Sequence, residues 1–98
     1  MEIEGKFYFD PSDMIYKDHF PGNPVVPGSV IVAAFIDAGK RAGVLENAFT
    51  VRDFKFREFV SPGGHGFIME TYQDQLKCRL YRGVFDKSKT LVTGVIAR

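Results

Sequence analysis

His19 stands directly before a loop built from proline and glycine, and its side chain is well suited to proton transfer. An unperturbed imidazole has a pKa of about 6.5, so it takes up and releases protons near neutral pH. Pro21, Pro24 and Pro27 each fix a backbone dihedral angle, which makes the loop rigid. A rigid loop holds a base in one position, so His19 is the first candidate catalytic residue.

The loop runs into an apolar segment that predicts a helix from about Ser29 to Ala42. Ser29 is a suitable N-cap, and Gly43 is a natural stop. Lys40 and Arg41 suit the negative end of the helix dipole. Gly28 precedes this helix, where free backbone N–H groups favour an oxygen that gains negative charge.

The face pattern of this helix predicts burial on all sides. Residues 30–36 include no polar residue, so the segment lacks the polar stripe of a surface helix. Asp37 is the only carboxylate in the helix, and Ala33 lies one turn before it. A buried aspartate needs a partner or a water, so Asp37 is either a functional group or the partner of Lys40, Arg41 or a backbone group.

Aromatic and β-branched runs predict five strands around this helix. The predicted strands are residues 3–9, 49–60, 67–74, 76–86 and 90–97. Residues 49–60 break the two-residue alternation, which indicates a bulge or a strong twist. Turns are expected at 62–64 and 86–89, and Leu76, Cys78 and Leu80 should share one face. The order β-α-β-β-β-β predicts an α+β fold in which a curved antiparallel sheet wraps the helix.

Composition narrows the class of protein. The 98 residues predict a single domain over 1–98, and a chain of this size buries little enough surface that a second subunit is expected. A net charge of +1 without a basic run excludes a strongly basic nucleic-acid binder, and the apolar runs are too short to span a membrane. The lone Cys78 cannot form an internal disulfide, and no signal pattern is seen at the N-terminus, so the sequence predicts a cytoplasmic protein. His65 is expected to face solvent, and no metal-ligand spacing is present.

Two segments carry a resemblance to a known family. Residues 19–28 have the pattern H-F-P-G-x-P-x-x-P-G, and residues 54–64 read FKFREFVSPGG. Both resemble the 3-hydroxyacyl-acyl carrier protein dehydratases, the hot-dog enzymes of fatty acid synthesis. The resemblance implies a hot-dog fold, a hydro-lyase without a cofactor, and an acyl carrier protein or another phosphopantetheine carrier as partner. It also implies a dimer, either of identical chains or with a related hot-dog subunit.

The resemblance implies a role for each residue of the motif. His19 would be the general base that removes the C2 proton of a 3-hydroxyacyl thioester, and Gly28 would approach the substrate closely. The substrate-binding positions would be Phe20, Gly22, Val26, Pro27, Gly28 and Ala33.

One departure from the family pattern concerns the acid. The family places a catalytic Glu or Asp fourteen residues after the histidine, and Ala33 stands there in this sequence. Alanine cannot protonate a leaving hydroxyl, so Asp37 is the candidate to replace the missing carboxylate. The alternatives are a hot-dog thioesterase that uses Asp37, or a non-catalytic or heteromeric dehydratase subunit.

Overall fold

A computed structural model describes residues 1–16, 22, 24–83 and 86–98 of the chain. Its elements are β1 (Glu2–Phe9), a short 3₁₀ helix (Met14–Tyr16), α1 (Gly28–Arg41), β2 (Thr50–Phe56), β3 (Gly63–Tyr72), β4 (Gln75–Arg82) and β5 (Asp86–Ala97). This order confirms the predicted β-α-β-β-β-β arrangement. Within the described ranges, no helix has the length and apolar content needed to cross a membrane.

The described strands form one antiparallel sheet in the order β1-β3-β4-β5-β2. Strands β1 and β2 are therefore its two edges. One face of the sheet packs against α1. Side chains alternate between the two faces of a strand, so every second residue points toward the helix. In β4, Leu76, Cys78 and Leu80 are buried while Lys77 and Arg79 are exposed, which confirms the predicted shared face.

Aromatic rings fill the space between α1 and the sheet. Phe35 is fully buried at the centre, and the rings of Phe7 and Phe67 meet it edge-on at 5.0 and 5.9 Å between centroids. Phe7 and Phe67 stack on each other at 4.1 Å. These contacts tie the edge strand β1 to the helix through β3, so the core spans the sheet.

Strand β2 contains the predicted irregularity. Its register with β5 shifts between Arg52 and Lys55, and Asp53 adopts a positive φ of 53°. The bulge turns Phe54 toward the core, where its ring lies over the backbone of Gly94 and 6.0 Å from Phe35. A bulge of this kind re-aims a side chain at the expense of one pair in the ladder.

Two predicted turns are wrong. Gly63 and Gly64 lie inside β3, where they pair with Phe9 and Tyr8 of β1. Residues 86–89 lie inside β5, which pairs with the end of β4. In both places, pairing with a distant strand overrides a local composition that is typical of turns.

The helix boundaries are shifted by one residue from the prediction. α1 begins at Gly28 with Pro27 as its N-cap, so the predicted N-cap role of Ser29 is wrong. Proline lacks a capping side chain, but its fixed φ suits the position before the first helical residue. Lys40 and Arg41 occupy the last turn, and Gly43 ends the helix with a φ of 75°, as predicted.

The prediction that α1 is buried on all sides is wrong for the single chain. Ile31, Phe35 and Gly39 are buried against the sheet, whereas Ala33 and Asp37 on the other side are exposed. The sheet covers only one side of the helix, and no described element covers the other. Alanine at position 33 is apolar and small, so the composition concealed which side faces outward.

Candidate functional site

The approach to the helix is held by a backbone contact with the segment after β2. Val26 is buried, and its N–H donates to the carbonyl oxygen of Val60 at 2.8 Å. Pro27 follows in an extended conformation, with φ −60° and ψ 144°. The end of the proline loop is therefore fixed before the helix starts.

The first turn of α1 presents backbone donors. The carbonyl oxygen of Pro27 accepts hydrogen bonds from the N–H groups of Val30 and Ile31, at 3.0 and 3.2 Å. The N–H groups of Gly28 and Ser29 come before these and have no acceptor inside the helix. Together with the helix dipole, they favour a negatively charged oxygen at this end.

Gly28 lies against the ring of Phe56 from β2. A Cβ atom at position 28 would lie 2.9 Å from Cζ of Phe56, closer than ordinary packing allows. The Phe56 ring is 46% exposed, so it borders the helix end from the solvent side. The sequence analysis did not identify Phe56, because no local pattern links a residue of β2 to one at the start of α1.

Ala33 and Asp37 lie on the exposed side of the helix. The side chain of Asp37 is 61% exposed, and its Oδ2 atom lies 3.0 Å from Nε of Arg41. The expectation of a buried aspartate is therefore wrong, and pairing with Arg41 is one of the alternatives that the sequence left open. With a rise of about 1.5 Å per residue, Asp37 lies roughly 13 Å along the axis from Gly28. Asp37 does not reach the start of its own helix.

The remaining predicted site residues divide into two groups. His19 and Phe20 lie outside the described residues, so their catalytic and binding roles stay predictions. Gly22 is in a turn with φ of 83°, a conformation that favours glycine. The described part of the predicted site is thus Gly22 and the run from Val26 to Gly28, with Ala33 and Asp37 further along the helix.

His65 is buried, and the prediction that it faces solvent is wrong. Its side chain is 5% exposed at the start of β3. The Nδ1 atom accepts a hydrogen bond from the N–H of Gly83 at 3.2 Å and also lies 3.2 Å from the carbonyl oxygen of Tyr81, and Nε2 lies 2.7 Å from the carbonyl oxygen of Ser61. His65 therefore links Ser61, which precedes β3, to Gly83, which follows β4.

Burial shifts the pKa of two further ionisable groups. Burial raises the pKa of the Tyr16 phenol, with smaller contributions from the charges of Asp13 and Asp10. Tyr16 is part of the core, while Met14 two residues before it is exposed. Burial also raises the pKa of the Cys78 thiol to about 12, which makes it a poor nucleophile.

Sequence comparison finds dehydratase relatives. The 3-hydroxyacyl-acyl-carrier-protein dehydratase FabZ of Lactiplantibacillus plantarum is 37% identical over 60 residues, which cover 53% of this chain and 41% of the relative. The FabZ dehydratase of Herpetosiphon aurantiacus is 28% identical over 93 residues, which cover 87% of this chain and 63% of the relative. The chain therefore spans less than two thirds of these relatives.

Solved structures share the fold. The dehydratase heterocomplex ApeI:P from Xenorhabdus doucetiae matches with a TM-score of 0.74 and 20% identity, over 98% of this chain and 85% of that chain. An uncharacterized protein from Erwinia carotovora subsp. atroseptica matches with a TM-score of 0.76 and 20% identity, over 98% and 81%. A mutant of the fluoroacetyl-CoA-specific thioesterase FlK matches at 0.52 and 15% identity, over 99% and 84%. These matches confirm the hot-dog fold.

A family profile covers almost the whole chain. The ApeI-like family, described as ApeI dehydratase, matches residues 1–95. The match takes in the proline loop, α1 and most of the sheet. The chain belongs to the ApeI-like dehydratase family.

Proposed function

We propose that this chain is a dehydratase subunit that acts on 3-hydroxyacyl thioesters and completes its active site with a related hot-dog chain. The substrate would be a (3R)-3-hydroxyacyl chain on acyl carrier protein or another phosphopantetheine carrier. Family membership supports the reaction class, and the FabZ relatives support the carrier-bound substrate. A single domain over residues 1–98 and a cytoplasmic location belong to the same proposal.

In the proposed reaction, the base comes from the proline loop and the oxyanion site from α1. His19 takes the C2 proton of the thioester, and the electrons of that C–H bond move toward the carbonyl oxygen. The N–H of Gly28 donates to this oxygen as its negative charge grows. The enolate electrons then form the C2=C3 double bond and restore the carbonyl as the C3–O bond breaks, and the hydroxyl takes a proton from an acid and leaves as water, which gives a 2-enoyl thioester.

The exposure of Ala33 is the observation that supports the proposed partner chain. It stands where the resembling enzymes have their acid, on a helix side that no described element of this chain covers. A facing subunit with a carboxylate at the matching position would supply the proton to a site that contains His19 of this chain. The solved relative that is a heterocomplex, ApeI:P, supports such a pairing.

A pair of identical chains is the alternative, with Asp37 of the facing helix acting through a water. The Asp37–Arg41 ion pair does not prevent this, because an exposed pair of this spacing stabilises a helix by only about 0.3 to 0.5 kcal/mol. The two routes differ in which substitution matters. Asp37→Asn abolishes activity only if Asp37 is the acid.

The test is hydration of a 2-enoyl carrier thioester by the chain alone and by the chain co-purified with a related hot-dog subunit. We expect the chain alone to be slower by about 10²- to 10⁴-fold, the usual effect of a missing general acid. Ala33→Glu should raise the rate of the chain alone. Asn47→Glu is the matched control, because it adds the same single negative charge in an exposed loop instead of at position 33.

Three outcomes separate the alternatives. If the chain alone is fast and Asp37→Asn inactivates it, Asp37 is the acid and no partner subunit is needed. No gain in Ala33→Glu would mean that the missing acid does not limit the site. Release of free carrier thiol without hydration would favour the thioesterase.

A further inference from the structure

A groove crosses the outer face of the sheet, on the side away from α1. Its volume is about 510 Å³, within the range of small-molecule sites, and residues from all five described strands line it. Ile68 and Val95 form an apolar floor. The groove lies behind the sheet from the proposed dehydratase site, so a ligand here requires a function beyond that reaction.

Arg79 is held in place on the wall of this groove. Its Nε atom donates to Oγ1 of Thr90 at 2.8 Å, and its guanidinium carbon lies 4.8 Å from the ring centre of Tyr81. Tyr81 is only 3% exposed, so it is a fixed platform. With Nε engaged and the guanidinium carbon over the Tyr81 ring, the two terminal amino groups remain to bind an anion as a fork.

Lys55 of β2 and Arg57, which follows that strand, share the groove with Arg79. Lys55 pairs with Thr93 of β5, which pairs with Arg79 of β4, so the three residues form one row across the sheet. Two strand spacings separate Lys55 from Arg79, about 10 Å between backbones, which long side chains can bridge around a phosphate. Arg57 follows on the same side of the groove, with its N–H bonded to the carbonyl oxygen of Leu91 at 2.8 Å.

Both signs of charge line the groove, and its fourth cation, Lys77, pairs with Glu70 in the row next to Arg79. Glu2 and Glu70 are direct partners at the β1–β3 end, and Asp53 lies on the β2 rim. Among the residues whose side chains the structure describes, no carboxylate oxygen lies within 4.0 Å of the charged nitrogens of Lys55 or Arg79. An anionic group between Lys55 and Arg79 would therefore meet two charges without a carboxylate partner among these residues. The apolar floor lies beside it.

We propose that Arg79, Lys55 and Arg57 form a subsite for the phosphate group of a small organic phosphate, whose apolar body lies on Ile68 and Val95. A second copy of the chain fits this face less well. Two facing grooves would enclose empty volume instead of filling it, which close packing disfavours.

Phenyl phosphate is a suitable probe, because it joins a phosphate to an apolar ring. Backbone amide NMR signals are followed during titration at constant ionic strength. We expect saturable shifts at residues 55–57, 79–81 and 93–95. Arg79→Gln should weaken binding at least about tenfold, as for loss of a charged hydrogen bond. Thr90→Val should also weaken it, because it frees Nε and keeps every charge.

Arg41→Gln is the matched control, since it removes the same charge from an exposed residue of α1 that does not line the groove. We expect it to change the affinity less than about twofold. If Arg79→Gln disturbs signals far from the groove, Arg57→Gln takes its place. Absence of saturable shifts in the groove overturns the subsite, as does an equal loss of affinity in Arg41→Gln and Arg79→Gln, which would reduce the effect to net charge.

Discussion

At the residue scale, the two histidines of this chain are assigned different roles. His19 of the proline loop is the proposed base, whereas His65 is buried with both ring nitrogens close to backbone groups. An imidazole ring can donate through one nitrogen and accept through the other. We therefore infer that His65 stabilises the junction between Ser61 and Gly83.

Replacing His65 tests this structural role. His65→Phe leaves the carbonyl oxygen of Ser61 and the N–H of Gly83 without their partners, and we expect a loss of about 1 to 3 kcal/mol in the free energy of unfolding. Urea denaturation measures it. His65→Gln is the control, because an amide keeps one donor and one acceptor and should cost less. Equal losses in both variants would contradict the hydrogen-bonding role.

Cys78 gives a pH-dependent prediction. Burial raises the pKa of its thiol to about 12 from the ordinary value of 9.0, so the folded state favours the neutral form. This contribution to stability is complete below pH 9 and is lost as the pH rises toward 12. Urea denaturation from pH 8 to 11 should show wild type losing its advantage over Cys78→Ala. A constant difference between the two would contradict the raised pKa.

At the element scale, the bulge in β2 and a glycine in β5 depend on each other. The bulge turns Phe54 inward, and its ring lies where a side chain at position 94 would be. A Cβ atom added to Gly94 would be 2.5 Å from three atoms of that ring. Phe54 also packs on the helix through Phe35, so the ring has little room to move.

Gly94→Ala should therefore destabilise the fold. We expect a loss of about 1 to 3 kcal/mol, the usual effect of overpacking a core, measured by thermal or urea unfolding. The double variant Gly94→Ala, Phe54→Leu should lose less than the sum of the two single variants, because the smaller side chain leaves room for the methyl group. Additive losses would show that the two positions do not compete for the same space.

At the scale of the whole molecule, the side of α1 that the sheet leaves exposed is the candidate interface. The helix buries Ile31, Phe35 and Gly39 against the sheet and leaves Ala33 and Asp37 exposed. A chain of 98 residues gains substantially from a second subunit, because small domains bury a low fraction of their surface. We therefore expect this side of the helix to face another hot-dog chain.

Ala33→Arg tests the assembly. In the separate chain an exposed helical arginine is well tolerated, so folding should be unchanged. In an interface it would bury a charge, and light scattering at micromolar concentration should then return an 11 kDa species in place of a dimer. Asn47→Arg is the control, since it adds the same charge in an exposed loop. Unchanged association in Ala33→Arg would remove the helix from the interface.

The sequence by itself determined the order of the elements and the family. Periodicity located α1 and five strands because side-chain spacing of 3.6 and 2 residues is a local property of the chain. The motif from His19 to Gly28 indicated the family, and the profile match confirms the family. The prediction that Ala33 replaces a carboxylate likewise needs only a position counted from His19.

Only the tertiary structure decided which groups are covered and by what. His65 follows two glycines and reads as part of a turn, but pairing of β3 with β1 and β4 buries it. The contact of Phe56 with Gly28 joins residues that are far apart in sequence, and so does the row from Lys55 to Arg79. The exposed side of α1 could not be predicted from its apolar run, because which side of a helix is covered depends on how far the sheet wraps around it.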